Sequence, residues 1–172
     1  MGSKATIRVV SQKAHERAPN TVEDTKQRAK VAQVLSHFLA STYALYQKSL
    51  FYHWNVTGPH FASLHRLFEE HYNALHMAGD EIAERVRALG HFAPGTLSEF
   101  AELSSLEEDR KLPANAQQMI GNLLKSHEIC SKEARGVLDI AEQANDPVTQ
   151  DMMTRRMEFH DKAAWMLRSL QA

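Results

Sequence analysis

The chain has 172 residues, enough for one domain that buries roughly 70% of its unfolded surface. Its 20 Lys and Arg against 21 Asp and Glu exclude a global basic field for gripping nucleic acid and leave only a local patch open. A single cysteine, Cys130, excludes an internal disulfide and a Cys-based zinc site, and points to a reducing compartment.

The opening segment MGSKATIRVVSQKAHERAPN has no apolar stretch long enough for a signal peptide, and no later run could span a bilayer. A soluble, cytoplasmic protein without membrane association is expected. Residues 1–19 carry Lys4, Arg8, Lys13 and Arg17 without periodicity and read as a flexible tail, with a single helical domain over 20–172. Asn20 or Thr21 can cap a first helix whose opening turn holds Glu23 and Asp24. Val31, Leu35, Phe38, Thr42, Leu45 and Ser49 then recur at spacings of three and four, giving one stripe to about Asn55. VTGP breaks it at Gly58 and Pro59.

A second long helix carries Phe61, Leu64, Phe68, Leu75, Ile82, Val86 and Leu89, and stops at Gly90. The connection that follows holds a short helix near 98–103. Pro113 opens a third long helix, with Ile120, Leu123, Leu124, Ile129, Ala134, Val137, Leu138 and Ala141 on its buried side. Asn145 or Asp146 caps a fourth, with Pro147 in its first turn and Val148, Met152, Phe159, Ala163, Met166 and Leu170 as its stripe. Trp165 reads as core. The fold class is all-α: a four-helix bundle with a short extra helix between helices two and three, whose long connection suits a parallel pair.

The second helix also has a polar side. His65, Glu69, Tyr72 or Asn73, His76, Asp80 and Glu84 follow one another at three and four. Imidazole and carboxylate suit iron, zinc and manganese, while a solvated charged face is the alternative on pattern alone. His65 and Asp80 lie about 22 Å apart along a helix, so they cannot share an ion within one chain. Two copies packed antiparallel about an axis near residues 72 and 73 would bring His65 to the partner's Asp80, and Glu69 to the partner's His76. His53, beyond the turn, comes within reach of the same cluster. One isologous contact would then create two identical sites.

HWNVTGPHFASLH, DEIAERVRALG and APGTLSEF resemble the Dps family of mini-ferritins, over about residues 20 to 170. The resemblance implies a dodecameric shell of ferritin-like four-helix bundles. It implies ferroxidase sites at two-fold interfaces that oxidise Fe(II), with hydrogen peroxide ahead of oxygen, and a cavity that stores the ferric mineral. DNA is thereby protected. The implied catalytic ligands are His53 and His65 from one chain with Asp80 and Glu84 from its neighbour. No Glu-x-x-His occurs, so the intrasubunit di-iron site of conventional ferritins is not expected. Glu69 stands where the family commonly has Asp, and His76 is an addition on the ligand side. A nitrogen-richer shell that includes Glu69 and His76 would let zinc compete with iron.

Four further expectations accompany the resemblance. Trp54 is a radical sink or a packing residue of the dimer contact. Glu142, Asp146 and Asp151 cluster where related shells place a three-fold iron-entry pore, with Asp146 also eligible as a cap. Arg85 pairs with a carboxylate and orients it, a surface role being the alternative. The basic tail offers phosphate contacts that could add across a shell, which would make the protein nucleoid-associated. Two other function classes are a DNA-compacting shell with zinc-filled or weakly active sites, and a plain bundle that binds a protein partner.

Overall fold

The computed structural model describes Val22 and residues 24–171, and within them the chain is helical with no strand. Five helices follow in order: α1 (Thr25–Asn55), α2 (Phe61–Ala88), α3 (Leu97–Leu103), α4 (Ala116–Gln143) and α5 (Pro147–Ser169). α1 pairs with α2 and α4 with α5, and α1 joins the two hairpins by packing on α4. The short α3 rests on α1 in the crossover between the hairpins. This is the expected four-helix bundle with its extra helix. None of the helices is long and apolar enough to cross a membrane.

Four of the five helices start where a side chain takes free N–H groups, while α2, with His60 at its N-cap, begins without a side-chain cap. Asp24 caps α1, accepting from the amides of Lys26 and Gln27. The cap is therefore a residue expected inside the first turn; Asn20, Thr21 and Glu23 lie outside the described residues, as does the tail 1–19. Thr96 and Glu99 form a reciprocal capping box on α3. Asn115 caps α4, so that helix starts three residues later than the Pro113 expectation. Gly90, at φ 89°, ends α2 in a left-handed conformation that a side chain would strain.

The stripes of α1 and α2 are buried as their spacing requires, with Tyr52, Phe38, Phe68, Leu35, Leu75 and Ile82 among the fully enclosed side chains. Each contributes on the order of 2 kcal/mol through burial. Phe61, Val148 and Leu170, at the stripe ends, are exposed. Trp165 corrects an expectation: it is 62% exposed, because the core side of α5 runs through His160, Ala163, Ala164 and Leu167. Cys130 is buried in the core, and burial pushes its thiol pKa up, away from thiolate chemistry.

A buried ion pair locks the hairpins together. Arg85 of α2 donates to Asp146 at 2.6 Å and to the Thr149 hydroxyl at 3.0 Å. Asp146 meanwhile caps α5 through the Thr149 amide at 3.1 Å. Burial alone would raise the Asp146 pKa, but the hydrogen bonds from Arg85 and Thr149 outweigh it and hold the carboxyl below its ordinary range. The expected Arg85–carboxylate pair is thus present, with Asp146 as its partner.

Candidate metal centre

The site begins at the turn between α1 and α2. His53 lies in the last turn of α1 and His65 in the second turn of α2, and the VTGP reversal through Gly58 (φ 109°) folds one onto the other. Their rings stack with centroids 3.7 Å apart and planes 18° from parallel. Each Nδ1 also meets the other residue's backbone carbonyl: His53 Nδ1 to His65 O is 2.8 Å, and His65 Nδ1 to His53 O is 2.9 Å.

A carbonyl oxygen can only accept, so both Nδ1 atoms carry the proton. In the neutral rings, both Nε2 atoms then carry lone pairs. Two imidazoles fixed in one tautomer, ring over ring, are a ready pair of nitrogen ligands. The backbone carbonyls of the two helix ends that the turn brings together set that tautomer, so the spacing of twelve residues has a structural cause.

Glu69 follows one turn after His65 and is half-buried, accepting from the Tyr72 hydroxyl at 3.4 Å. Tyr72 also meets His53 edge-on, with centroids 5.2 Å apart. His76 is exposed on the same side of α2 and packs against the ring of Tyr46 at 5.6 Å. Asp80 and Glu84 continue the row and are exposed. They stand away from the histidine pair, as the helical rise demands. Among the described residues, no three His, Cys, Asp or Glu side chains come together within one subunit to hold a metal. The donor set is therefore divided along α2 into a nitrogen end and a carboxylate end. Trp54, beside His53, is 63% exposed.

The expected pore residues part company. Glu142 and Asp151 are exposed, and Asp151 is paired with Arg155 one turn on. Asp146 is fully buried and committed to Arg85 and Thr149, so it acts as cap and anchor and does not join a solvent-facing ring of carboxylates.

Two features were not anticipated. His71, His127 and His160, from α2, α4 and α5, form a buried chain in the bundle. His127 Nδ1 is 3.0 Å from His160 Nδ1, and its Nε2 is 3.3 Å from His71 Nδ1. Burial lowers the pKa of His71 to about 4 and of His160 to about 3, and that of His127 well below the ordinary value. His71 follows Phe68 by three residues and precedes Leu75 by four, a core register that could have revealed it. The second feature is a row of tyrosines, Tyr72, Tyr46 and Tyr43, between α1 and α2.

Residues 32–172 match the ferritin-like domain family. A low temperature-induced protein of Nostoc is 41% identical over 145 residues, spanning 84% of this chain and 81% of the relative. The Bacillus anthracis protein named DNA protection during starvation protein 2 is 34% identical over 139 residues, spanning 81% and 94% of the two chains. Among solved structures, the Dps crystal structure from Staphylococcus aureus superposes with a TM-score of 0.80 at 36% identity. That alignment covers 84% of this chain and 96% of the other.

Proposed function

Because the chain belongs to the Dps family of ferritin-like proteins, we propose that it is an iron-storing, DNA-protecting mini-ferritin whose ferroxidase sites form between two subunits. The observation that carries this reading is the His53–His65 pair, whose backbone-fixed Nδ1–H groups leave two Nε2 lone pairs that no third donor joins among the described residues of one subunit. An antiparallel pairing of two α2 helices would supply Asp80 and Glu84 of the second copy. Glu69 would stand beside them as the remaining carboxylate.

Fe(II) is the substrate. Two ferrous ions held side by side give two electrons to one peroxide, so 2 Fe(II), H2O2 and two protons yield 2 Fe(III) and two waters. The protein's part is to place both ions together and to balance their charge with carboxylates. Consuming peroxide and ferrous ion in one step removes the reactants that produce hydroxyl radical, and this is how DNA would be spared. Direct DNA contact through the basic tail rests on residues outside the described ones.

The assembly proposed is a homododecamer in the cytoplasm, twelve copies of a 19.5 kDa chain around one cavity. Stopped-flow absorbance after mixing Fe(II) with peroxide should show rapid ferric formation, and native mass should give the twelve-fold assembly. A slow, protein-independent oxidation would overturn the ferroxidase reading and leave a DNA-compacting shell.

His76 favours zinc as a competitor at the same site. It sits one turn before Asp80 on the ligand side and is exposed, so a second subunit could reach it. A third imidazole makes the donor set softer, which suits Zn(II) better than Fe(II). Calorimetric titration with Zn(II) should show His76→Ala binding about tenfold or more weakly. Equal affinity would remove His76 from the ligands.

A further inference from the structure

The tyrosine row has no part in the two-electron reaction just proposed, yet it is built onto the site. Tyr72 touches both kinds of donor: its ring is edge-on to His53 and its hydroxyl donates to Glu69. Tyr46, across the seam on α1, meets Tyr72 edge-on at 6.3 Å. Tyr43, three residues before it, meets Tyr46 at 6.2 Å and stacks on Phe100 of α3 at 4.5 Å. Room for the Tyr43 ring comes from Gly79 of α2, where a Cβ would lie 2.9 Å from the ring. The three phenols thus form a continuous chain of ring contacts that starts at a ligand and ends at α3.

A half-filled site poses a specific hazard. One Fe(II) supplies only one of the two electrons that peroxide needs, and the remaining oxidising equivalent is a hydroxyl radical unless a second donor stands close by. A phenol is such a donor, since it can lose one electron together with its hydroxyl proton.

We propose that Tyr72 is the one-electron donor of the half-loaded site and that Tyr46 and Tyr43 carry the oxidising equivalent away from it. The proposal rests on the ferroxidase reading. Fe(II), H2O2 and the Tyr72 phenol give Fe(III), one hydroxide, one water and the Tyr72 phenoxyl. The O–O bond breaks, iron and phenol each lose one electron, and the phenolic hydrogen ends in water. Tyr72 then regains an electron and a proton as Tyr46 loses them, and Tyr43 does the same for Tyr46. Trp54 is adjacent in sequence, but in the subunit its side chain is largely in solvent, outside this row.

The test uses the assembled protein given peroxide and sub-stoichiometric Fe(II), freeze-quenched for electron paramagnetic resonance. A phenoxyl signal should appear, should narrow when the tyrosine rings are deuterated, and should be lost in Tyr72→Phe while persisting in Trp54→Phe. Peptide mass spectrometry should find oxidised Tyr43 in the wild type. That product should vanish in Tyr46→Phe, while the Tyr72 signal remains. An indole radical in place of phenoxyl, a signal that survives Tyr72→Phe, or Tyr43 oxidation undiminished in Tyr46→Phe would overturn the proposal. Stopped-flow oxidation by the wild type at full iron loading keeps the two readings apart. Fast oxidation without phenoxyl sinks only the tyrosine chain, whereas absent oxidation sinks both.

Discussion

Subunits carrying His53→Ala with His65→Ala should lose peroxide-driven Fe(II) oxidation, as should subunits carrying Asp80→Ala with Glu84→Ala, yet the two together should recover it. Removing either end of the divided donor set leaves every homodimer with two broken sites. Each variant alone should therefore fall at least about a hundredfold in rate. In a mixed dimer the damage segregates. One site receives both sets of alanines, while the other combines intact histidines with intact carboxylates. Random pairing makes about half the dimers mixed, so about a quarter of the wild-type sites return. Co-expression of differently tagged chains, with native mass to confirm mixing, reads this directly. A mixture no more active than its parents would mean that the ligands do not come from two chains. Asp80 and Glu84 are exposed and His53 and His65 are half-buried, none of them in the enclosed core, and circular dichroism of each variant checks that the fold is kept.

Acid should unfold the protein steeply, through the chain of imidazoles in the bundle. His71, His127 and His160 have folded-state pKa values below that of a free histidine, lowered first of all by burial. A depressed histidine pKa means that the unfolded chain binds the proton more readily. Stability is then full above about pH 6.5 and declines as pH falls towards the folded values near 4 and 3. Within that window each buried histidine costs up to about 1.4 kcal/mol per pH unit, so the three together approach about 4 kcal/mol per unit. Their contacts sharpen the effect. The central ring has both nitrogens engaged, so an added proton would set donor against donor at 3.0 or 3.3 Å. Urea titrations at pH 7, 6 and 5 should show the midpoint falling across the series. His160→Phe should flatten the fall, since Phe38 and Phe159 already surround that position with rings. A pH-independent midpoint over this range would mean that the cluster does not govern acid stability.

The nitrogen end of the site was legible because one short turn makes it. Residues 53 and 65 are joined by local chain geometry, and HWN followed by a second histidine at twelve residues displays that geometry directly. The stripes of α1 and α2 were equally plain, since a period near 3.6 needs no knowledge of the partner helix. Helix starts were harder. Several capping residues stood within five positions of α1, and only the realised hydrogen bonds chose Asp24. Trp165 was misjudged by its size, although it falls off the line of His160, Ala164 and Leu167. The buried histidines were hidden by distance in sequence. His71 and His127 are 56 positions apart, and His127 and His160 are 33 apart. Each looks polar and unsupported until the other two are placed beside it.

Arg85 follows Glu84 directly, and it is gripped by the first residues of α5 in the opposite hairpin. A helix turned by a single residue swings its side chains through about 100°, so this grip sets the compass bearing of the neighbouring acid. The outward aim of Glu84 is thus governed from the start of α5. Damage to that remote joint should blunt the proposed ferroxidase while leaving all of the proposed liganding side chains in the sequence.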